Sequence, residues 1–153
     1  MLKAIPNIIT ASNLFFGCIS AVMVFNGSYK TAFLFLALAL LADFMDGASA
    51  RLLDARSEIG KQLDSLADVV SFGWLPGLIV FQFWHTQYPD SNLSWMAFLL
   101  TVATALRLAK FNIDPEQSYE FKGLASPANA LFFGSWLIFP DPLPQWLANL
   151  FAI

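Results

Sequence analysis

The stretch Asp43-Phe-Met-Asp46-Gly47-Ala-Ser-Ala50-Arg51, followed after eight residues by Gly60-Lys-Gln-Leu-Asp64-Ser-Leu-Ala-Asp68, decides how the rest of the chain is read. At about 100° per helical residue, Asp43, Asp46, Gly47 and Ala50 share an arc of about 100°, and Gly60, Asp64, Asp68 and Ser71 share a similarly narrow one. Both segments therefore read as helices, each with a one-sided stripe of acids and small residues. A helical hairpin can bring the two stripes face to face.

These acids are embedded in a chain built for lipid. Of its residues 58% are hydrophobic and only 12% charged, and the mean hydropathy is +0.61, which predicts an all-α integral membrane protein. The net charge of −3 and pI near 4.8 offer no basic field for nucleic acid. Cys18 is the sole cysteine, so an internal disulfide and a cysteine-based metal site are excluded, and it is expected to be an ordinary buried helix residue. The first apolar stretch does not read as a cleaved leader: Lys3 is its only early cation, Asn7, Thr10, Ser12 and Asn13 interrupt it, and no Ala-x-Ala site follows.

Apolar segments run from about Ile8 to Phe25, Ala32 to Leu53, Leu63 to Trp84, Leu93 to Phe111 and Pro127 to Phe139, predicting five transmembrane helices. Pro140, Pro142 and Pro144 break the chain, and nine residues follow, too few for the roughly 20 of a spanning helix. A sixth helix is thus expected to be incomplete. Short linkers predict a single membrane domain over residues 1–153. Lys3, Arg51, Arg56, Lys61, Arg107, Lys110 and Lys122 fall on one side and Lys30 alone on the other, which puts the N terminus and the acidic site in the cytoplasm. Trp84 and Trp95 bracket the outer loop as interface anchors, and His85 is expected in that loop, solvated and away from the site.

Depth decides what the aspartates require. With the second helix ending near Leu53, Asp43 sits about 15 Å up from that end, inside the inner leaflet. Four uncompensated ionised aspartates at that depth would cost on the order of 10 kcal/mol. Arg51 neutralises one at most, whereas divalent cations neutralise all four and favour oxygen ligands. Hard cations held by carboxylates, with Gly47, Ala50 and Gly60 leaving room for a phosphate, point to phosphoryl transfer. Two cations about 3.5 to 4 Å apart would clamp a diphosphate for in-line displacement. A cation channel or transporter is the non-enzymatic alternative. It predicts acids spread through the membrane depth, without Arg51 beside them.

The stretch Asp43–Asp68 matches at every fixed position the pattern Asp-x2-Asp-Gly-x2-Ala-Arg-x8-Gly-x3-Asp-x3-Asp, and so resembles the CDP-alcohol phosphotransferase family. The flanks are similar to the phosphatidylserine synthase branch of that family: Ile5-Pro6-Asn7-Ile8-Ile9-Thr10-Ala11-Ser12-Asn13-Leu14 with Gly17, Leu63–Asp68 running on into Val70–Gly73 and Pro76, Leu106–Asn112, and Gly123–Ala128. Ala48 and Lys110 stand where relatives often carry arginine.

The resemblance implies the family's helical bundle, usually a homodimer, and transfer of the phosphatidyl group from CDP-diacylglycerol to L-serine with release of CMP, supported by two Mg2+ or Mn2+ ions. The same chemistry with glycerol 3-phosphate or inositol phosphate as acceptor is the alternative. It further implies Asp43, Asp46 and Asp64 as metal ligands, with Asp68 also near the cations and acting as general base. Gly47, Ala50, Arg51 and Gly60 would border the CDP-diacylglycerol site. Asn7, Thr10 and Asn13, spaced by three on the first helix, would contact nucleotide or metal-linked water, or hydrogen-bond between helices. Arg107 and Lys110 would hold the acceptor's carboxylate or phosphate, or else serve topology and headgroup contact. Ser71 continues the acidic stripe and would meet the acceptor or pack as a small residue.

Overall fold

The computed structural model describes residues 4–55, 57–113 and 125–138, which form helices joined by short turns, with no strand among them. Helix α1 (Ala4–Phe25) reverses into α2 (Tyr29–Leu52) through the Asn26-Gly27 pair. Gly27 adopts φ 70°, and Ser28 and Gly27 donate their N–H groups to Met23 O (2.9 Å) and Val24 O (3.0 Å), a Schellman closure. Helix α2 closes the same way on Asp54, at φ 48°: Ala55 N–H reaches Ala50 O (3.0 Å) and Asp54 N–H reaches Arg51 O (3.4 Å). Ser57 then caps α3 (Glu58–Asp68), its Oγ accepting from Gly60 N–H at 3.0 Å.

Helix α3 does not stop at Asp68. It widens into a π-helical stretch, Val69–Trp74, and continues as α4 (Leu75–Gln87), one apolar run of 30 residues. Pro76 explains the widening. Proline lacks an N–H and its ring crowds the carbonyl four residues back, and a turn closed by Leu75 N–H on Val70 O relieves that crowding. After the outer turn, a 3-10 stretch (Asn92–Phe98) leads into α5 (Leu99–Ile113), and α6 (Ser126–Gly134) ends in a 3-10 turn, Ser135–Leu137.

Four helical runs are long and apolar enough to cross a membrane: Ala4–Phe25, Tyr29–Leu52, Glu58–Gln87 and Asn92–Ile113. The expected fifth span is helical over Ser126–Leu137, while Phe139 and the expected sixth helix lie outside the described residues. Two expectations need correction. His85 lies in the last turn of α4, stacked on Phe81 at 5.3 Å, because the helix runs on through Thr86, whose Oγ1 donates to Gln82 O. Cys18 is exposed, because Gly17, Ser20 and Ala21 occupy the packing face of α1.

That packing face organises the bundle. Thr10, Asn13, Gly17, Ser20 and Ala21 are buried on α1, a polar and small-residue stripe that allows two helices to approach closely. Antiparallel α2 is bound through Ser20 Oγ, which donates to Ala32 O at 2.7 Å. The α3–α4 run lies parallel to α1: a Cβ on Gly60 would sit 2.9 Å from Asn7 Oδ1, and further along Ser71 Oγ donates to Asn13 O at 3.2 Å. A Cβ on Gly17 would lie 3.0 Å from Ser71 Cβ. Gly73 and Gly77 give α5 and its 3-10 entry the same access, against Thr104 and Thr101. Leu36, Phe72, Leu75, Leu78, Ile79 and Leu137 fill the apolar half of the core. Ile8, Phe15, Phe44 and Leu106 are exposed, as faces turned to lipid require.

Candidate active site

The two acidic stripes meet where α2 and α3 face each other. Asp43, Asp64 and Asp68 each offer a carboxylate oxygen, and these oxygens all lie within 4.8 Å of one another. Asp46, nearly a turn further along α2, is outside this triad and lies near Thr10 on α1, whose hydroxyl donates to Pro6 O at 3.0 Å. Asp46 Oδ2 and Asp68 Oδ1 are buried without a hydrogen-bond partner. Oxygen-only donors converging to this distance, with buried lone pairs left over, fit a hard divalent cation.

The carboxylates stand between two cavities. The larger, about 380 Å3, lies among α1, α2 and α3 and is lined by Asn7, Thr10, Asp46, Gly47, Gly60 and Asp64, with Ala50, Ser57 and Lys61 also on its wall. The smaller, about 260 Å3, opens between α3, α5 and α6 and includes Asp43, Asp64, Ser65, Asp68, Arg107 and Ser126. Asp64 and Lys61 line both. At Gly47 a Cβ would meet nothing within 4 Å, so the larger cavity keeps open space there. In the smaller one Arg107 Nη2 donates to Ser126 Oγ at 2.5 Å.

The structure thus brings together Asp43, Asp64 and Asp68, and it places Asp46 with Asn7, Thr10, Gly47, Ala50 and Gly60 around the larger cavity. Arg51 is exposed at the end of α2 and lines neither cavity. Arg107 lines the smaller cavity, whereas Lys110 is exposed and outside it. Ser71 is fully buried, held by Asn13 O against Gly17, and touches neither cavity. Sequence reasoning passed over Lys61, Ser65, Asn112 and Ser126. Lys61 Nζ donates to Asn112 O (3.0 Å) and Asn112 Nδ2 to Ser65 Oγ (2.8 Å), tying the end of α5 to α3 beside the acids. Lys61 and Ser65 were legible as immediate neighbours of Gly60 and Asp64; Asn112 and Ser126 are brought in only by the packing of α5 and α6.

Fold and site together define a helical integral membrane protein with a carboxylate centre built between two of its helices. The chain belongs to the CDP-alcohol phosphatidyltransferase family, whose family model matches residues 3–151. It is 36% identical over 128 residues to the CDP-diacylglycerol–serine O-phosphatidyltransferase of Helicobacter pylori (strain J99), covering 82% of this chain and 54% of that protein. To the enzyme of the same name in Bacillus subtilis (strain 168) it is 32% identical over 123 residues, 80% of this chain and 69% of that one. The archaetidylserine synthase of Methanothermobacter thermautotrophicus is 30% identical over 138 residues, 88% of this chain and 58% of the relative. The chain therefore spans about half the length of the Helicobacter relative. No solved structure matches it.

Proposed function

We propose that this protein is a phosphatidylserine synthase, transferring the phosphatidyl group of CDP-diacylglycerol to L-serine. The observation that carries the reading is the junction itself: three carboxylates converge within 4.8 Å between a cavity on the α1 side and another on the α5–α6 side. Two separate substrates can approach one phosphorus from such a pair of cavities. The names of the relatives in Helicobacter and Bacillus support serine as acceptor.

In this reading the CDP moiety occupies the larger cavity, where Gly47, Ala50 and Gly60 leave space and Asn7 and Thr10 offer polar contacts. Serine enters the smaller one, its carboxylate met by the Arg107 guanidinium. Asp43, Asp46, Asp64 and Asp68 would hold Mg2+ or Mn2+, which when bound supplies charge neutralisation for the diphosphate. Asp68, buried and reached from the smaller cavity, takes the proton of the serine hydroxyl as its oxygen attacks the lipid-side phosphorus. The bond from that phosphorus to the CMP oxygen breaks, and CMP leaves through the larger cavity. A single displacement suffices, because the site's own side chains include no Cys or His nucleophile. Residues 1–153 act as one membrane domain, assembled as a homodimer with the site facing the cytoplasm.

The test is CMP release by detergent-purified protein given CDP-diacylglycerol and Mn2+ or Mg2+. Release that requires L-serine is expected. Release with glycerol 3-phosphate alone would overturn the acceptor assignment, and release with neither would overturn the transferase reading.

A further inference from the structure

Asn13 has no place in the mechanism above, yet it is the polar side chain most at odds with its surroundings. It is 0% exposed, and both Nδ2 and Oδ1 lack a hydrogen-bond partner. An amide buried with donor and acceptor both unmet is strongly disfavoured, so in native proteins such a group is partnered by something, often an internal water.

The packing registers locate it. Against parallel α3–α4, Asn7 meets Gly60 and Gly17 meets Ser71, so Asn13 comes level with Leu66 and Ala67, within a turn of both Asp64 and Asp68. Against antiparallel α2, Thr10 lies near Asp46 and Ser20 meets Ala32, so Asn13 comes level with Ala42, next to Asp43. Its helix face is the one directed at both partners, and its own carbonyl already accepts from Ser71, three residues beyond Asp68. Asn13 therefore lies beside the carboxylate cluster, within a turn of Asp68, whose Oδ1 is also buried without a partner.

We propose that Asn13 is a positioning residue for this cluster: its amide holds an internal water that hydrogen-bonds the orphaned oxygen of Asp68. The amide Nδ2 can donate to that water, which donates onward to the carboxylate, so Asn13 Nδ2 and Asp68 Oδ1 each gain a partner. Fixing one oxygen of Asp68 in this way restricts rotation of its carboxylate beside Asp43 and Asp64. The proposal rests on the reading of the cluster as a divalent-cation site. Partners that orient metal-binding side chains from behind influence affinity about 10- to 100-fold.

The test is Mn2+ affinity, read by electron paramagnetic resonance titration of the full chain in detergent, with the thermal midpoint recorded without metal. Asn13→Leu is expected to weaken Mn2+ binding at least about 10-fold. Asn13→Ser, which keeps a hydroxyl and leaves room for water, is expected to retain more of the affinity than Asn13→Ala, and this pair decides the matter if Asn13→Leu does not fold. Unchanged Mn2+ affinity in Asn13→Leu, with a thermal midpoint equal to or above that of the wild type, would overturn the proposal and make Asn13 an ordinary buried orphan. Equal affinities in the Ser and Ala variants would overturn it too. A wild-type chain that binds no Mn2+ overturns the cation site itself, an outcome distinct from either.

Discussion

Gly60 and Asn7 touch across the mouth of the larger cavity, so closely that a Cβ on Gly60 would lie 2.9 Å from Asn7 Oδ1 and 3.0 Å from Ser57 Oγ. Asn7 must shift to admit even a methyl group, and the shift narrows the space assigned to the CDP moiety. Gly60→Ala is expected to lower kcat/KM for CDP-diacylglycerol about 10-fold, equivalent to about 1.4 kcal/mol, chiefly through KM. Serine KM should hardly move. Steady-state kinetics with each substrate varied in turn would check it, and an unchanged lipid KM would count against the assignment of that cavity.

In the proposed mechanism Asp43 and Asp68 both hold metal, and Asp68 alone also takes the serine proton. Asp68→Asn keeps the shape and removes the base, so turnover should fall by about 10²- to 10⁴-fold while CDP-diacylglycerol still binds. Asp43→Asn should act first on metal, shifting the Mn2+ concentration needed for half-maximal CMP release. Titrating Mn2+ against CMP release in both variants separates the two. A normal turnover in Asp68→Asn would remove it from the base role.

Arg107 reaches Ser126 across the smaller cavity. A planar guanidinium can bind a carboxylate through two parallel hydrogen bonds, which an ammonium cannot reproduce. Arg107→Lys is therefore expected to raise serine KM about 10-fold, with lipid KM unchanged. Isothermal or kinetic titration with serine gives the answer, and an equal loss for both substrates would point to a packing defect instead.

Asp54 holds a left-handed backbone, φ 48°, to end α2. Glycine adopts that conformation without a Cβ penalty, so Asp54→Gly should be neutral to stabilising, by up to about 1 kcal/mol. The thermal midpoint in detergent is the measurement. A lowered midpoint would mean that the aspartate side chain contributes more at this turn than its backbone strain costs.

Much of this site is legible in sequence because its spacing is local. Asp43 with Asp46, and Asp64 with Asp68, need only the helical period to share a face, and Gly47, Ala50 and Gly60 fall on those faces by the same arithmetic. What the period cannot supply is which face meets which helix. Ser71 lies on the acidic stripe, yet the close approach of Gly17 draws it into the contact with α1. The widened turn after Asp68 depends on Pro76, eight residues on, and Ser126 joins the site only through α6 packing beside α5. Arg51 follows Ala50 in the motif, but one residue of helix rotation carries it out of the cavity wall.

The order of the helices also bears on how the chain enters a bilayer. Helix α1 packs against both α2 and the α3–α4 run, touching each through one polar stripe. During synthesis the first hairpin leaves the ribosome before Asp64 and Asp68 do, so Asp43 and Asp46 reach the bilayer ahead of their later companions. In that interval the polar side chains nearest them are those of α1, Thr10 near Asp46 and Asn13 at the level of Ala42, next to Asp43. The same stripe that later seats the third helix first shelters the nascent acids, an internal escort for charge on its way into lipid.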